Sequence, residues 1–229
     1  MKARVLSELN DLLDREFAWR LKELTTVNSS IKSSAPLAKP MLIRCATALL
    51  YAHWEGFIKN ASEAYLYFVS CRKLPCSQLN KAFVALTIRS KLVELESSTI
   101  SEKHNNLVDF LLNDLNSTAH LPFRGIIKTK SNLNSTQFKN IVFTLGLDYS
   151  LYELKEHLLD AQLLAWRNNI AHGQELYPKE SDFDTLFREV LQMIREFKDQ
   201  IANAASLKLY CKENILIKKS ASPLNVNSA

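Results

Sequence analysis

Apolar residues recur at intervals of three and four along most of the chain, the period of helices with one buried face. Val5, Leu9, Leu12, Leu13, Phe17, Leu21 and Leu24 mark a first helix over residues 2–28, with charges on its other face. Ser29 to Pro40, rich in serine and holding two prolines, reads as a loop, and Pro40 suits the first turn of a second helix. That helix runs to about Ser70 along a stripe of Cys45, Leu49, His53, Phe57, Ala61, Ala64 and Phe68. Pro75 breaks the chain, and residues 80–96 form a third helix through Phe83, Leu86, Ile88 and Leu92. Residues 104–115 suit a short helix. Residues 116–134 are a less regular insertion, with at most a short extended piece at Ile126 and Ile127.

Ser135 is placed to cap a helix from Gln137 to Leu145, and Gly146 to close it in the left-handed conformation. The next helix, 150–172, carries Leu151, Leu154, Leu158, Ala161 and Ala165 on one face. Continuing that step brings Asn168 and His172 onto the expected core face, just before Gly173 can end the helix. A polar group facing a core needs a partner or a purpose. A last helix covers about 183–206, after Asp182 and Asp184. The pattern predicts an all-α bundle: residues 1–206 as a single helical domain, and 207–229 as a C-terminal extension. The apolar stretch Ile215 to Ile217 lies in that extension, and its Ser/Asn end is expected to be disordered.

Composition agrees. At 229 residues, 47% hydrophobic and 23% charged, the chain can bury a sizeable core, and only four glycines leave few tight turns for an all-β fold. No apolar run approaches the ~18–20 residues that span a bilayer, and the charged amphipathic start lacks a signal-peptide core. A cytoplasmic protein with no membrane contact is expected. Cys45, Cys71, Cys76 and Cys211 fit neither a zinc pattern nor a disulfide framework, so reduced thiols are expected, some of them buried.

The net charge of +5 leans toward a polyanion, and its distribution says more. No acidic residue lies between Asp114 and Asp148, whereas Arg124, Lys128, Lys130 and Lys139 all do. Lys208, Lys212, Lys218 and Lys219 face a single Glu213 in the extension. From charge alone, solubility and chance clustering are the simpler account.

The sharpest local signal is Ala165-Trp166-Arg167-Asn168-Asn169-Ile170-Ala171-His172-Gly173. Arg167 and His172 are five apart, about 140° around an ideal helix, while Asn168 and His172 share a face. A guanidinium binds phosphate through two N–H bonds and stabilises charge on its oxygens under attack; an imidazole moves protons near neutrality. Together they suit attack of a ribose 2′-hydroxyl on its own phosphodiester without a metal. From spacing alone, an ordinary helix end with an exposed Arg remains the simpler account.

Arg167-Asn168-(x3)-His172 resembles the R-x4–6-H signature of the HEPN superfamily, including the polar residue after the Arg. Other blocks agree in order and spacing with prokaryotic RiboL-PSP-type HEPN proteins. They are Leu49-Leu50-Tyr51-Ala52-His53-Trp54-Glu55-Gly56-Phe57, Lys130 to Asn134, Leu145-Gly146-Leu147 and Leu158-Leu159-Asp160, over roughly residues 40–205. The resemblance implies a helical bundle around the motif helix and a homodimer in which two motifs face each other across a composite cleft. It implies a metal-independent endoribonuclease, without cofactor, that leaves 2′,3′-cyclic phosphates, acting as a toxin or in phage defence, with an antitoxin or defence-system partner. Carried over by position, Arg167 and His172 are catalytic candidates and Asn168 a positioning residue. The superfamily also includes silent modules that bind nucleotide, RNA or protein. One departure concerns neutralisation. Toxins paired with a minimal nucleotidyltransferase extend the motif to H-x-Y, but Gln174 stands there, and the next tyrosine is Tyr177.

Glu55 and Asp160 are supporting candidates: Glu55 to orient Arg167 or His172 from a neighbouring helix, with a solvated or locally paired glutamate as the simpler account, and Asp160, two turns before Arg167, to support an Arg network or equally to pair elsewhere. His53, on the core stripe, reads as a packing histidine; His104, His120 and His157 have no motif context. Arg124, Lys128, Lys130 and Lys139, just upstream of the motif helix, are expected to guide RNA phosphates. No P-loop, dinucleotide, zincin or nucleophile-elbow pattern occurs, and no acidic cluster suggests a two-metal nuclease.

Overall fold

The computed structural model describes residues 2–96 and 101–214, and all regular elements among them are helical. The α-helices are α1 (Leu6–Ser33), α2 (Lys39–Ser70), α3 (Lys81–Glu96), α4 (Ser101–Asn113), α5 (Ser135–Thr144), α6 (Ala165–Ala171) and α7 (Glu180–Ser206). A 3-10 turn, Cys76–Gln78, precedes α3; a 3-10 segment, Ser150–Lys155, and a π-helical segment, Leu158–Leu164, precede α6. Residues 116–134 hold no regular element, as the sequence predicts.

Several boundaries move for identifiable reasons. Helix α1 continues to Ser33, into the stretch expected to be loop, which is confined to residues 34–38. The hydroxyls of Ser30 and Ser33 bond the carbonyls of Thr26 and Ser29, four residues back, and Ile31 buries one further turn of the apolar stripe. The cap of α5 is Asn134, not Ser135: its Oδ1 accepts from the Gln137 amide at 2.8 Å. Gly146 closes α5 as expected, at φ +68°, with the Leu147 amide reaching back to the Val142 carbonyl.

Helices α1, α2 and α7 pack as the main layer, and the π segment and α6 lie against α2. The amphipathic α7 buries Phe183, Leu186, Phe187, Val190, Ile194, Phe197 and Ile201. Helix α2 is central, buried on nearly all sides from Tyr51 to Val69; Cys45, expected on its core stripe, is exposed because Ile43, Ala46, Thr47 and Leu50 form the buried face of the first turns. Phe138 of α5 joins the parts, its ring centroid 4.8 Å from both Trp54 and Tyr152 and 5.7 Å from Phe197. The first two pairs are edge-on and the third tilted, and aromatic pairs of this kind add about 0.5–1.5 kcal/mol each beyond burial.

The start of the C-terminal extension docks on the same body. Asn80 donates its amide to the Tyr210 carbonyl and its side chain to the Leu209 carbonyl, and Tyr210 is buried. Ile215 to Ile217, Lys218, Lys219 and the Ser/Asn end lie outside the described residues. All four cysteines are free thiols, and burial pushes the Cys76 thiol up from its ordinary pKa. No described helix is long and apolar enough to cross a membrane.

Candidate active site

The segment carrying Arg167 and His172 is not one regular helix. It begins as a 3-10 turn, widens through the π segment and becomes α-helical only over Ala165–Ala171. Bonding i→i+5 adds about one residue per turn, so the 100° step no longer locates a face. The consequence is a correction. Leu151 and Ala161 are exposed, and Leu154 is 94% exposed; Tyr152, Leu159, Leu163 and Leu164 take the buried positions instead. Asn168 and His172 therefore continue a solvent-facing line rather than a core stripe. Asn168 is half-buried and His172 is exposed.

Helix α6 ends as the sequence predicts. His172 is the C-cap, Gly173 follows at φ +72°, and the amides of Gly173 and Gln174 bond the carbonyls of Ile170 and Asn169. The imidazole makes no hydrogen bond with a described side chain, so it sits at an open helix end facing water.

Arg167 is held firmly. Its guanidinium carbon lies 4.3 Å from the centroid of the Tyr51 ring, on α2, and its Nη1 donates to Asn168 Oδ1 at 2.7 Å. Stacking on an aromatic face leaves the other guanidinium nitrogens directed in the plane, where a phosphate can be met. Asn168 Nδ2 in turn reaches Asn132 Oδ1 at 3.4 Å, in the loop before α5. That loop contains two consecutive left-handed residues, Lys130 at φ +54° and Ser131 at φ +52°, each strained for a residue with a Cβ. It is pinned beside them: the Leu133 amide donates to the Tyr51 hydroxyl at 2.7 Å. The bulk of the insertion is thus brought back to the motif by a loop whose lysines, Lys128 and Lys130, are exposed and form no ion pair with a described residue.

The remaining candidates separate by geometry. Asp160 accepts from the Ser135 amide at 2.7 Å and the Ser135 hydroxyl at 2.6 Å, fixing the first turn of α5 rather than reaching Arg167. Glu55 is half-buried beside the Tyr51 hydroxyl, and no ion pair joins it to Arg167 or His172. Lys139 lies 3.6 Å from Glu156 and over the Tyr149 ring, so it serves its own helix junction. Arg124 is exposed above Phe123. His53 is buried, its Nε2 2.8 Å from Glu23 Oε2 and its ring edge-on to Trp19; burial lowers its pKa despite that carboxylate. It is the packing histidine its stripe suggests. His104, His120 and His157 are exposed. Among the described residues no cluster of His, Cys, Asp and Glu is arranged to hold a metal ion.

Three neighbours escaped the sequence reading. Tyr51 and Asn132 are named above. Arg44, on α2, donates through Nη1 to the carbonyls of Gln174 and Leu176 and lies 5.3 Å from the Tyr177 ring, clasping the strand of chain that leaves the motif. Tyr51 shares a helix face with Glu55, a faint signal. Asn132 lies in the block Lys130 to Asn134 that carries the resemblance, but with no role attached to it; Arg44 offered no signal, because its partners are about 130 residues away.

A family model described as RiboL-PSP-HEPN matches residues 15–203, extending the resemblance upstream to take in most of α1. No curated protein and no solved structure matches the chain. A match across nearly the whole helical body, with Arg167, Asn168 and His172 gathered at the end of α6, establishes that the chain belongs to the RiboL-PSP-HEPN family, nuclease-like or nucleotide-binding modules of the HEPN superfamily.

Proposed function

We propose that the protein is a metal-independent endoribonuclease. The observation that carries this reading is the Arg167 guanidinium stacked on Tyr51 and bonded to Asn168, next to a lysine-bearing loop and one helix turn from an unencumbered His172. Lys128 and Lys130 draw the RNA backbone in, and Arg167 binds the scissile phosphate. His172 accepts the 2′-hydroxyl proton as that oxygen attacks phosphorus. The P–O5′ bond breaks, the departing 5′-oxygen takes a proton, and a 2′,3′-cyclic phosphate and a 5′-hydroxyl result. Arg167 stabilises the charge that gathers on the non-bridging oxygens.

One imidazole per chain serves one proton transfer at a time. A homodimer with two motifs across a cleft supplies the second, and the exposed Leu151 and Leu154 on the motif segment are apolar surface such a contact would cover. Toxin or phage-defence activity is the biological role we infer, with an antitoxin or defence-system protein as partner. Gln174, in place of a tyrosine, speaks against neutralisation by tyrosine modification. A silent RNA- or nucleotide-binding module is the rival, and the observation on its side is that no described acidic side chain orients His172.

End-labelled RNA incubated in EDTA with wild type, His172→Ala and Arg167→Ala decides between them. The expected result is cleavage to cyclic-phosphate ends by wild type, with a loss of ~10²-fold or more in either variant. Equal cleavage by all three would sink the assignment, and RNA binding without cleavage by wild type would favour the silent module.

A further inference from the structure

The contacts around Arg167 close on themselves. The Tyr51 ring carries the guanidinium at 4.3 Å, Arg167 bonds Asn168 at 2.7 Å, and Asn168 meets Asn132 at 3.4 Å. Asn132 is joined through the backbone to Leu133, whose amide returns to the Tyr51 hydroxyl at 2.7 Å. Both faces of one tyrosine's chemistry are used: the apolar ring on the arginine, the hydroxyl on the loop. We infer that Tyr51 is a positioning residue that couples the aim of the Arg167 guanidinium to the placement of the basic loop 128–132, so that one side chain sets the register between phosphate capture and phosphate activation. The inference rests on the ribonuclease reading for its consequence in catalysis, not for the coupling itself.

Tyr51 is suited to this. It is 1% exposed, and Leu133 is equally buried, so water cannot replace the hydroxyl as acceptor for the Leu133 amide. Burial, reinforced by the Glu55 carboxylate and opposed by the Leu133 amide and Arg167, pushes the phenol up to about 12. The hydroxyl stays neutral through any working pH, and Glu55 acts on the site through Tyr51. The loop has need of such an anchor. Lys130 and Ser131 are both left-handed, and a conformation this unfavourable persists only where neighbouring contacts hold it. Inside the loop the Asn132 amide bonds the Thr129 carbonyl, so the pinned Leu133 and the lysines move as one short piece.

The two roles separate by substitution. Tyr51→Phe keeps the ring under Arg167 and removes the loop anchor; Tyr51→Leu removes both. Each is compared with wild type in three measurements: exchange of the Leu133 amide by NMR, affinity for a 20-nucleotide RNA by anisotropy, and kcat and KM on that RNA. Melting temperature monitors folding. In Tyr51→Phe the Leu133 amide is expected to exchange about tenfold faster and KM and Kd to rise several-fold, with kcat moving far less. In Tyr51→Leu, kcat falls in addition by roughly tenfold as Arg167 loses its platform. Wild-type exchange and KM in Tyr51→Phe would overturn the inference. So would losses in both variants that merely follow their melting temperatures. If wild type binds RNA but cleaves none, the ribonuclease reading falls separately. Exchange and Kd then decide the coupling alone: both altered in Tyr51→Phe supports it, both unchanged refutes it.

Discussion

Asp160 shows how a residue's partner, rather than its spacing, sets its role. Seven positions before Arg167 on an ideal helix it would lie on nearly the same face, but the π segment intervenes and its carboxylate receives the Ser135 amide and hydroxyl. Anionic groups at a helix N-terminus are favoured by the exposed amides there. Asp160→Ala should therefore lower stability to urea by ~1–3 kcal/mol, leaving a half-buried amide without its charged acceptor. RNA cleavage per folded molecule should stay within about twofold of wild type, since no contact runs from Asp160 to Arg167. Cleavage lost at unchanged stability would return Asp160 to the active site. The motif formed by Arg167, Asn168 and His172 was readable from sequence because its residues are local to one another. Their platform, Tyr51, was not, since stacking across two helices leaves no mark on either helix's own periodicity.

At the scale of elements, two helices end on left-handed glycines with different surroundings. A Cβ at Gly173 would meet nothing within 4 Å, whereas one at Gly146 would lie 2.9 Å from Asn80 Nδ2. That amide cannot easily withdraw, because it bonds the Leu209 carbonyl and so holds the C-terminal extension. Gly173→Ala should cost about 1 kcal/mol of backbone strain and reduce cleavage by disturbing the cap at His172. Gly146→Ala should cost more, by ~1 kcal/mol or above, adding a clash and a disturbed hydrogen bond to the same strain. Denaturation of the two variants side by side tests the order; equal losses, or a greater loss at Gly173, would contradict it. The glycines themselves were readable, since each stands just past an apolar stripe. The π segment was not, because an apolar pattern read at a 100° step carries no mark of the turn that gains a residue.

At the scale of the whole molecule, the homodimer we propose has apolar surface on the motif segment to bury. Leu154 is 94% exposed and Leu151 about half exposed, on the segment that leads into the motif. Leu154 touches little within its own chain, so Leu154→Glu should leave the melting temperature of a protomer nearly unchanged. The dimer we propose should nevertheless fall apart in sedimentation at micromolar concentration, and cleavage should fall with it, because a charge at an apolar contact cannot be desolvated without a partner. A monomeric wild type that cleaves RNA, or a variant that stays dimeric, would remove the composite cleft from the mechanism.

The chain by itself determined the helices and most of their ends. Apolar period, proline, glycine and cap residues act within a few positions, and these are the terms that helix formation reads first. It also determined the motif, which is contiguous. Only the tertiary structure decided which face of the motif segment is buried, because the π segment and α6 pack against α2, and that packing rather than local propensity sets the face. It alone decided that of the four basic candidates Lys139 is paired with Glu156, while Lys128 and Lys130 stand on the loop tied to Tyr51. Ion pairs and loop anchors join residues tens of positions apart, and their free energies are settled only when folding has brought the charges and dipoles together.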